Sequence, residues 1–292
     1  MQTQRKPEWL RINRASHDHY SDVSNLLAQQ GLHTICRSGK CPNQAECWSR
    51  GTATFMLLGD ICTRGCKFCA TMTGRPLPPD EDEPARLAES VAAMNLRYVV
   101  LTSVTRDDLP DQGANHWRRC IEAVRKQCPK VKIEALVPDF SGKETLVREV
   151  LCAAPDVFAH NMETVARLTP LVRAKATYQT SLHTLGVAHE AGLRTKTGIM
   201  LGLGETREEV LQTMDDALGA GVDIFTLGQY LQPSRRHCPV AEYITPERFA
   251  EYKRIALDKG FSFVESGPLV RSSYHAESAF GNGSPTETNV HR

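Results

Sequence analysis

The chain has no apolar run that approaches the roughly 18–20 residues a membrane-spanning helix needs. It has almost no net charge either, since 35 Lys and Arg face 34 Asp and Glu and leave +1. No global field therefore steers it to nucleic acid or to an anionic membrane. The first residues, MQTQRKPEWLRINRAS, lack an apolar core segment, which argues against a secretory leader. Glu8 and a scarcity of serines argue against a transit peptide. Cysteine is not scarce, with ten in 292 residues, but it is bunched instead of dispersed like a secreted disulfide framework. A reducing cytoplasm, where thiolates stay free to bind metal, is the expected compartment.

What is present is ordinary globular material, 41% hydrophobic and 24% charged, with enough length for one large α/β domain. Short β-branched runs alternate with longer amphipathic stretches. Strands are expected at Thr54–Asp60, Tyr98–Val104, Lys132–Pro138, Asp156–Asn161, Lys196–Leu203 and Asp223–Leu231. Helices are expected at Asp82–Met94, Asn115–Gln127, Lys143–Ala153, Thr177–Ala191 and Thr206–Ala220. This alternation implies a parallel sheet with helices outside. The predicted fold is α/β, a partial, open (β/α)6 TIM-type barrel over residues 54–266. An N-terminal extension, 1–53, and a C-terminal segment, 267–292, are expected to cover the barrel mouth. The tail from His275 to Arg292 is rich in Gly, Asn, Ser and Thr and predicts a disordered end.

Six of the cysteines form two clusters. One is Cys36-Arg-Ser-Gly-Lys-Cys41-Pro-Asn-Gln-Ala-Glu-Cys47, and the other is Cys62-Thr-Arg-Gly-Cys66-Lys-Phe-Cys69, directly after the first expected strand. Each offers three thiolates, whereas a structural zinc site is normally closed by four ligands. Three leave one metal position open. The pattern points to two iron–sulfur clusters, each short of one cysteine ligand, at the C-terminal strand ends where such barrels place their sites. A zinc knuckle with its fourth ligand elsewhere is the competing reading. Cys120, Cys128, Cys152 and Cys238 are scattered and read as buried, inert thiols. Gly198, Gly202 and Gly204 permit close backbone approach at the fifth strand but lack the Lys and Ser/Thr of a phosphate loop.

The C-x3-C-x2-C run, with Phe68 before its last cysteine, resembles the radical S-adenosylmethionine superfamily. That resemblance implies an open iron that chelates the methionine moiety of S-adenosylmethionine. It also implies electron transfer that breaks the sulfonium C–S bond to give a 5′-deoxyadenosyl radical. His160-Asn161-Met162-Glu163-Thr164 is similar to a segment of biotin synthase, which implies contacts to the cofactor from Asn161 and Glu163. Ser103, at the end of the second strand, is the expected contact for the methionine amino group, often made through backbone.

The C-x4-C-x5-C cluster just before that motif resembles the lipoyl synthase family. So do Gly39-Lys40-Cys41-Pro42-Asn43, Ser103-Val104-Thr105-Arg106-Asp107-Asp108-Leu109, Gly228-Gln229-Tyr230-Leu231-Gln232-Pro233-Ser234 and Arg271-Ser272-Ser273-Tyr274. The resemblance implies insertion of two sulfur atoms, at C6 and C8 of an octanoyl chain on a carrier lysine. Two 4Fe–4S clusters per chain and two S-adenosylmethionines per product are implied with it. The sulfur would come from an auxiliary cluster held by Cys36, Cys41, Cys47 and a serine, Ser273 by family position, with Ser272 as the alternative. The implied partners are octanoylated carrier domains, namely the lipoyl domains of 2-oxo acid dehydrogenase complexes and the glycine-cleavage H protein, and an electron donor. No nucleic-acid or membrane partner is expected, and the protein is expected to be a monomer. Another radical sulfur inserter, such as a methylthiotransferase, and a non-catalytic metal-binding protein are the competing readings. Arg118, Arg119, Arg125, Lys126, Lys130 and Lys132 make the approach to the third strand basic, as a solvated helix face or as a docking surface for an acidic carrier domain.

Overall fold

The computed structural model describes residues 6–10, 30–38, 41, 43, 54–274, 277 and 279. Cys47 and nearly all of the expected disordered tail lie outside them. Its main sheet has eight strands in the order β1 (His33–Thr34), β2 (Thr54–Leu57), β5 (Tyr98–Ser103), β6 (Lys132–Leu136), β7 (Val157–Ala159), β8 (Thr195–Leu201), β9 (Ile224–Gln229) and β10 (Phe263–Gly267). The seven strands from β2 to β10 pair in parallel, and β1 is an antiparallel edge. A separate ribbon of β3 (Ile61–Cys62) and β4 (Met72–Thr73) brackets the second cysteine cluster.

The helices are α1 (Ile35–Ser38), α2 (Glu83–Ala93), α3 (Ala114–Gln127), α4 (Glu144–Leu151), α5 (Thr169–Val172), α6 (Tyr178–Glu190), α7 (Arg207–Gly219) and α8 (Pro246–Lys259). Local chemistry sets their ends. Thr206 and Glu209 form a reciprocal capping box at α7. Thr245 caps α8 ahead of Pro246, and Gly260 ends that helix with φ +118.

The open α/β barrel expected from the sequence is present, and each expected strand and helix has a counterpart. The sheet runs one parallel unit further, through α8 and β10. The sequence Phe-Val-Glu-Ser-Gly of β10 mixes polar residues into a short run, because the strand is only half-buried.

Two-residue alternation sorts the side chains. Val99, Leu101, Ile133 and Ala135 face outward and pack with Leu87, Trp117, Ile121 and Val124 of α2 and α3. A second core joins Ile199, Leu201, Phe225 and Leu227 to Met214, Phe249 and Tyr252 of α7 and α8. The buried Glu134 accepts from the Tyr98 hydroxyl at 2.6 Å and from Lys196 Nζ at 2.9 Å. This buried charge is fully paired.

Candidate functional site

The cysteine loop is locked to the strand ends before any metal is considered. After β2 the chain turns through Leu58, at φ +66, whose amide donates to Glu83 Oε2 at 3.0 Å. Thr63 donates to the Thr105 carbonyl through its amide and its hydroxyl, at 3.0 and 2.9 Å. Arg64, buried inside the motif, forks onto both oxygens of Asp107 at 2.8 Å and reaches Asp139 at 2.7 Å. Burial opposes its charge, but the bonds to Asp107 and Asp139 outweigh that and hold the guanidinium above its usual value. The Arg64 bond holds the Asp107 carboxyl below its ordinary range. Asp139 is also lowered, because the nearby Arg64 charge overcomes burial.

Replacing Arg64 by Met should leave both carboxylates without their partner and cost about 3–5 kcal/mol, read from urea unfolding at neutral pH. Carboxylates with depressed folded-state values contribute stability above their unfolded values. The difference should therefore persist at neutral pH and shrink as pH falls below about 4. Unchanged stability of Arg64→Met would contradict this anchoring role.

The thiols are free among the described residues and are approached by backbone donors. The amides of Arg64 and Thr105 lie 3.4 and 3.3 Å from Cys62 Sγ, and that of Ala174 lies 3.5 Å from Cys66 Sγ. Burial pushes the Cys66 and Cys69 thiols up, so their deprotonation calls for a bound cation. Three soft thiolates on one loop suit an iron–sulfur centre, whereas a structural zinc site is normally closed by four ligands.

The first cluster sits close by. The Cys41 amide donates to the Cys36 carbonyl at 3.1 Å. Burial and the neighbouring Cys36 raise the Cys41 thiol, against the opposing charge of Arg271. Asn43 Nδ2 reaches the Leu269 carbonyl at 2.6 Å, which ties this extension to the C-terminal segment. A Cβ at Gly228 would collide with the Val270 carbonyl, so that segment packs directly on the end of β9.

One cavity of about 510 Å³ joins these parts. Cys69, Phe68, Cys41, Asn161, Glu163 and Ser272 all line it. Asn161 donates to Ser272 Oγ at 2.7 Å. Glu163 holds a left-handed φ of +69, and burial raises its carboxyl while Arg173 and Asn161 oppose the shift. Non-glycine residues in that region mark functional sites more often than chance. His160 is kept neutral, its value pulled down to about 4 by burial first and by Arg173. Its Nδ1 faces the Val137 carbonyl at 2.9 Å and must carry the proton, so Nε2 accepts from Ser181 at 3.0 Å. Arg173 donates to the same Ser181 at 2.7 Å.

Other expected residues fall elsewhere. Ser103 continues the outward face of Val99 and Leu101, and its hydroxyl accepts from the Trp117 indole at 3.1 Å. Only its backbone is left for a ligand. Ser273 is half-buried beside Ser272 and is not among the residues lining the cavity. Gly202 approaches Gln229 and the Glu242 carbonyl instead of a ligand. Of the four scattered thiols only Cys120 is buried; Cys128 and Cys238 are half-buried and Cys152 is exposed, because Cys152 caps the free end of α4. Sequence reasoning missed Arg64, Arg173 and Arg271. For Arg64 the available signal was an arginine inside a metal motif.

A family model described as the radical SAM superfamily matches residues 56–217. A lipoyl synthase of Bacteroides thetaiotaomicron is 58% identical over 94% of this chain and 97% of its own length. One from Treponema denticola is 57% identical over 94% of each chain. Among solved structures, Streptococcus suis SuiB bound to S-adenosylmethionine aligns with a TM-score of 0.57 at 11% identity, covering 88% of this chain and 58% of that one. Methylornithine synthase aligns with a TM-score of 0.52 at 13% identity, covering 87% and 83%. At these identities the structural likeness concerns the fold.

Proposed function

The chain belongs to the lipoyl synthase family of radical S-adenosylmethionine enzymes, and from that premise we propose that it inserts two sulfur atoms, at C6 and C8, into an octanoyl chain on a carrier lysine. The observation that carries this reading is the single cavity lined by members of both cysteine groups and by the C-terminal serine segment. Its carriers are octanoylated lipoyl domains and the glycine-cleavage H protein, and it works as a cytoplasmic monomer fed by an electron donor. No helix among the described residues is long and apolar enough to cross a membrane.

When bound, the iron–sulfur centre and S-adenosylmethionine together supply hydrogen-atom abstraction from C–H bonds that acid–base catalysis cannot attack. The chain's own residues divide the remaining tasks. Cys62, Cys66 and Cys69 hold one 4Fe–4S cluster, and Cys36, Cys41, Cys47 and Ser273 hold the other. Asn161 and Glu163 orient the nucleoside and the backbone of Ser103 the methionine amino group, with Phe68 as an apolar wall. Ile199, Met200, Leu231 and Val270, in the same cavity, suit an alkyl chain and keep water from it. The domain roles follow: 54–266 forms the radical barrel, while 1–53 and 267–292 carry the auxiliary ligands over its mouth. Iron analysis of anaerobically purified protein should give about eight irons per chain, whereas about four would remove the second cluster.

Ser272 already holds the Asn161 amide, which supports giving the iron to Ser273. An alkoxide is a harder ligand than thiolate and can leave as the cluster yields its sulfur. Ser273→Cys is expected to keep a stable auxiliary cluster but to slow or stop the second sulfur insertion, seen as accumulation of the singly thiolated chain. Ser273→Ala should keep the cluster partly and lose product. Normal product from Ser273→Ala together with loss in Ser272→Ala would move the ligand to Ser272.

A further inference from the structure

The basic residues that cluster in sequence before β6 are largely neutralised inside the fold. Arg118 pairs with Glu122 and Glu149, Arg119 with Glu81, and Arg125 and Lys132 with Asp156. Lys132 also opens β6, at the strand end away from the cavity. Lys126 and Lys130 of the same run are exposed.

A different set of cations stands on the segments that lead away from the cavity wall. Beyond β9 the chain runs through Leu231, Gln232 and Pro233, which line the cavity, into a turn over Ser234–His237. That turn is braced internally. The His237 amide donates to the Ser234 carbonyl at 3.1 Å, and the Arg236 amide to Ser234 Oγ at 3.3 Å. The Gln232 side chain donates to the His237 carbonyl at 2.9 Å. Two further bonds fasten the turn to the cysteine loop. The Cys238 amide donates to the Lys67 carbonyl and His237 Nε2 to the Cys69 carbonyl, each at 2.9 Å. Since Nε2 carries that proton, His237 Nδ1 accepts from the Ser234 hydroxyl at 2.8 Å.

This frame displays Arg235 and Arg236, both exposed, next to the exposed Lys67. None of the three side chains makes an ion pair or hydrogen bond among the described residues. The turn thus presents two exposed arginines that have no partner among the described residues, just beyond Gln232 and Pro233 of the cavity wall.

We propose that the Ser234–His237 turn, with Lys67, is the docking lip for a carboxylate-bearing face of the carrier domain, beside the lysine whose acyl chain enters the cavity. This rests on the reading of the cavity as the site of sulfur insertion. Three cations and a net charge of +1 fit a small acidic protein face better than a nucleic-acid backbone, whose binding rests on neutralising many phosphates. Exposed charges of this kind steer and register a partner more than they bind it tightly.

The test compares two substrates on the reconstituted full chain: an intact octanoylated carrier domain and a short octanoyl-lysine peptide without acidic residues. Arg235→Glu with Arg236→Glu is expected to lower kcat/KM for the carrier about tenfold or more, chiefly through KM. Turnover of the peptide and formation of 5′-deoxyadenosine should not change. The wild-type KM for the carrier should rise with salt, and that of the double variant should not. The corresponding pair of lysine substitutions should restore most of the carrier's kcat/KM. An unchanged kcat/KM for the carrier, an equal loss on the peptide, or competition by a single-stranded oligonucleotide as strong as that by the carrier would overturn the proposal. Failure of the wild type on both substrates would instead refute the functional reading beneath it.

Discussion

Cys62→Ala, Cys66→Ala and Cys69→Ala are each expected to bring 5′-deoxyadenosine formation down to background. In the proposed reading each thiolate holds one iron of a centre that has only three protein ligands to lose. The loop around them is anchored independently, by Thr63 on Thr105 and by Arg64 on Asp107 and Asp139. Loss of a thiol should therefore abolish the chemistry without unfolding the barrel. Circular dichroism and chemical unfolding of each variant should match the wild type, while chromatography of the reaction should show no deoxyadenosine above a no-enzyme control. Near-normal deoxyadenosine from any of the three would remove this loop from the role assigned to it.

Cys36→Ala, Cys41→Ala and Cys47→Ala should behave differently. Some cleavage of S-adenosylmethionine should survive, with no lipoyl product. The separation follows from the fold, since Cys36 and Cys41 lie on the extension before β2 and Cys62 lies beyond it. Cys41 of one group and Cys69 of the other both form the wall of the cavity. Iron content should fall by about half, from about eight to about four per chain. Lipoyl product at a normal rate from any of these variants would place the sulfur source elsewhere.

The sequence made the cysteine groups legible because their spacing alone limits which thiolates can share a centre. It made the barrel legible because parallel strands buried on both faces read as short β-branched runs, as Tyr98–Ser103 does. Asn161, Glu163 and Phe68, which the resemblance assigns to the cofactor, all line the cavity. Ser103 shows the limit of that reasoning. A motif names a position at a strand end, but the alternation of the strand decides which way the side chain points, and here it points at Trp117. The role of Arg64 was missed for another reason. Its partners Asp107 and Asp139 lie 43 and 75 positions away, and no local pattern links them. Arg271 likewise gains its meaning from Cys41, at the other end of the chain. Charge counting along the sequence drew attention to the run before β6, where in the fold Glu81, Glu122, Glu149 and Asp156 pair with Arg118, Arg119, Arg125 and Lys132. Arg235 and Arg236, without a partner among the described residues, sit on a turn beyond the cavity wall whose rigidity comes from bonds to the cysteine loop.

The central claim is that one chain couples radical formation to sulfur insertion across a single cavity. It is tested most directly by an anaerobic single-turnover reaction of the reconstituted protein with an octanoyl-lysine peptide, S-adenosylmethionine and a chemical reductant. Deoxyadenosine and peptide mass are measured over time. The account predicts a singly thiolated peptide first and the doubly thiolated lipoyl peptide after it, with two deoxyadenosines formed per lipoyl group. Deoxyadenosine formed with no sulfur gained by the peptide, or lipoyl peptide formed with no deoxyadenosine, would contradict it.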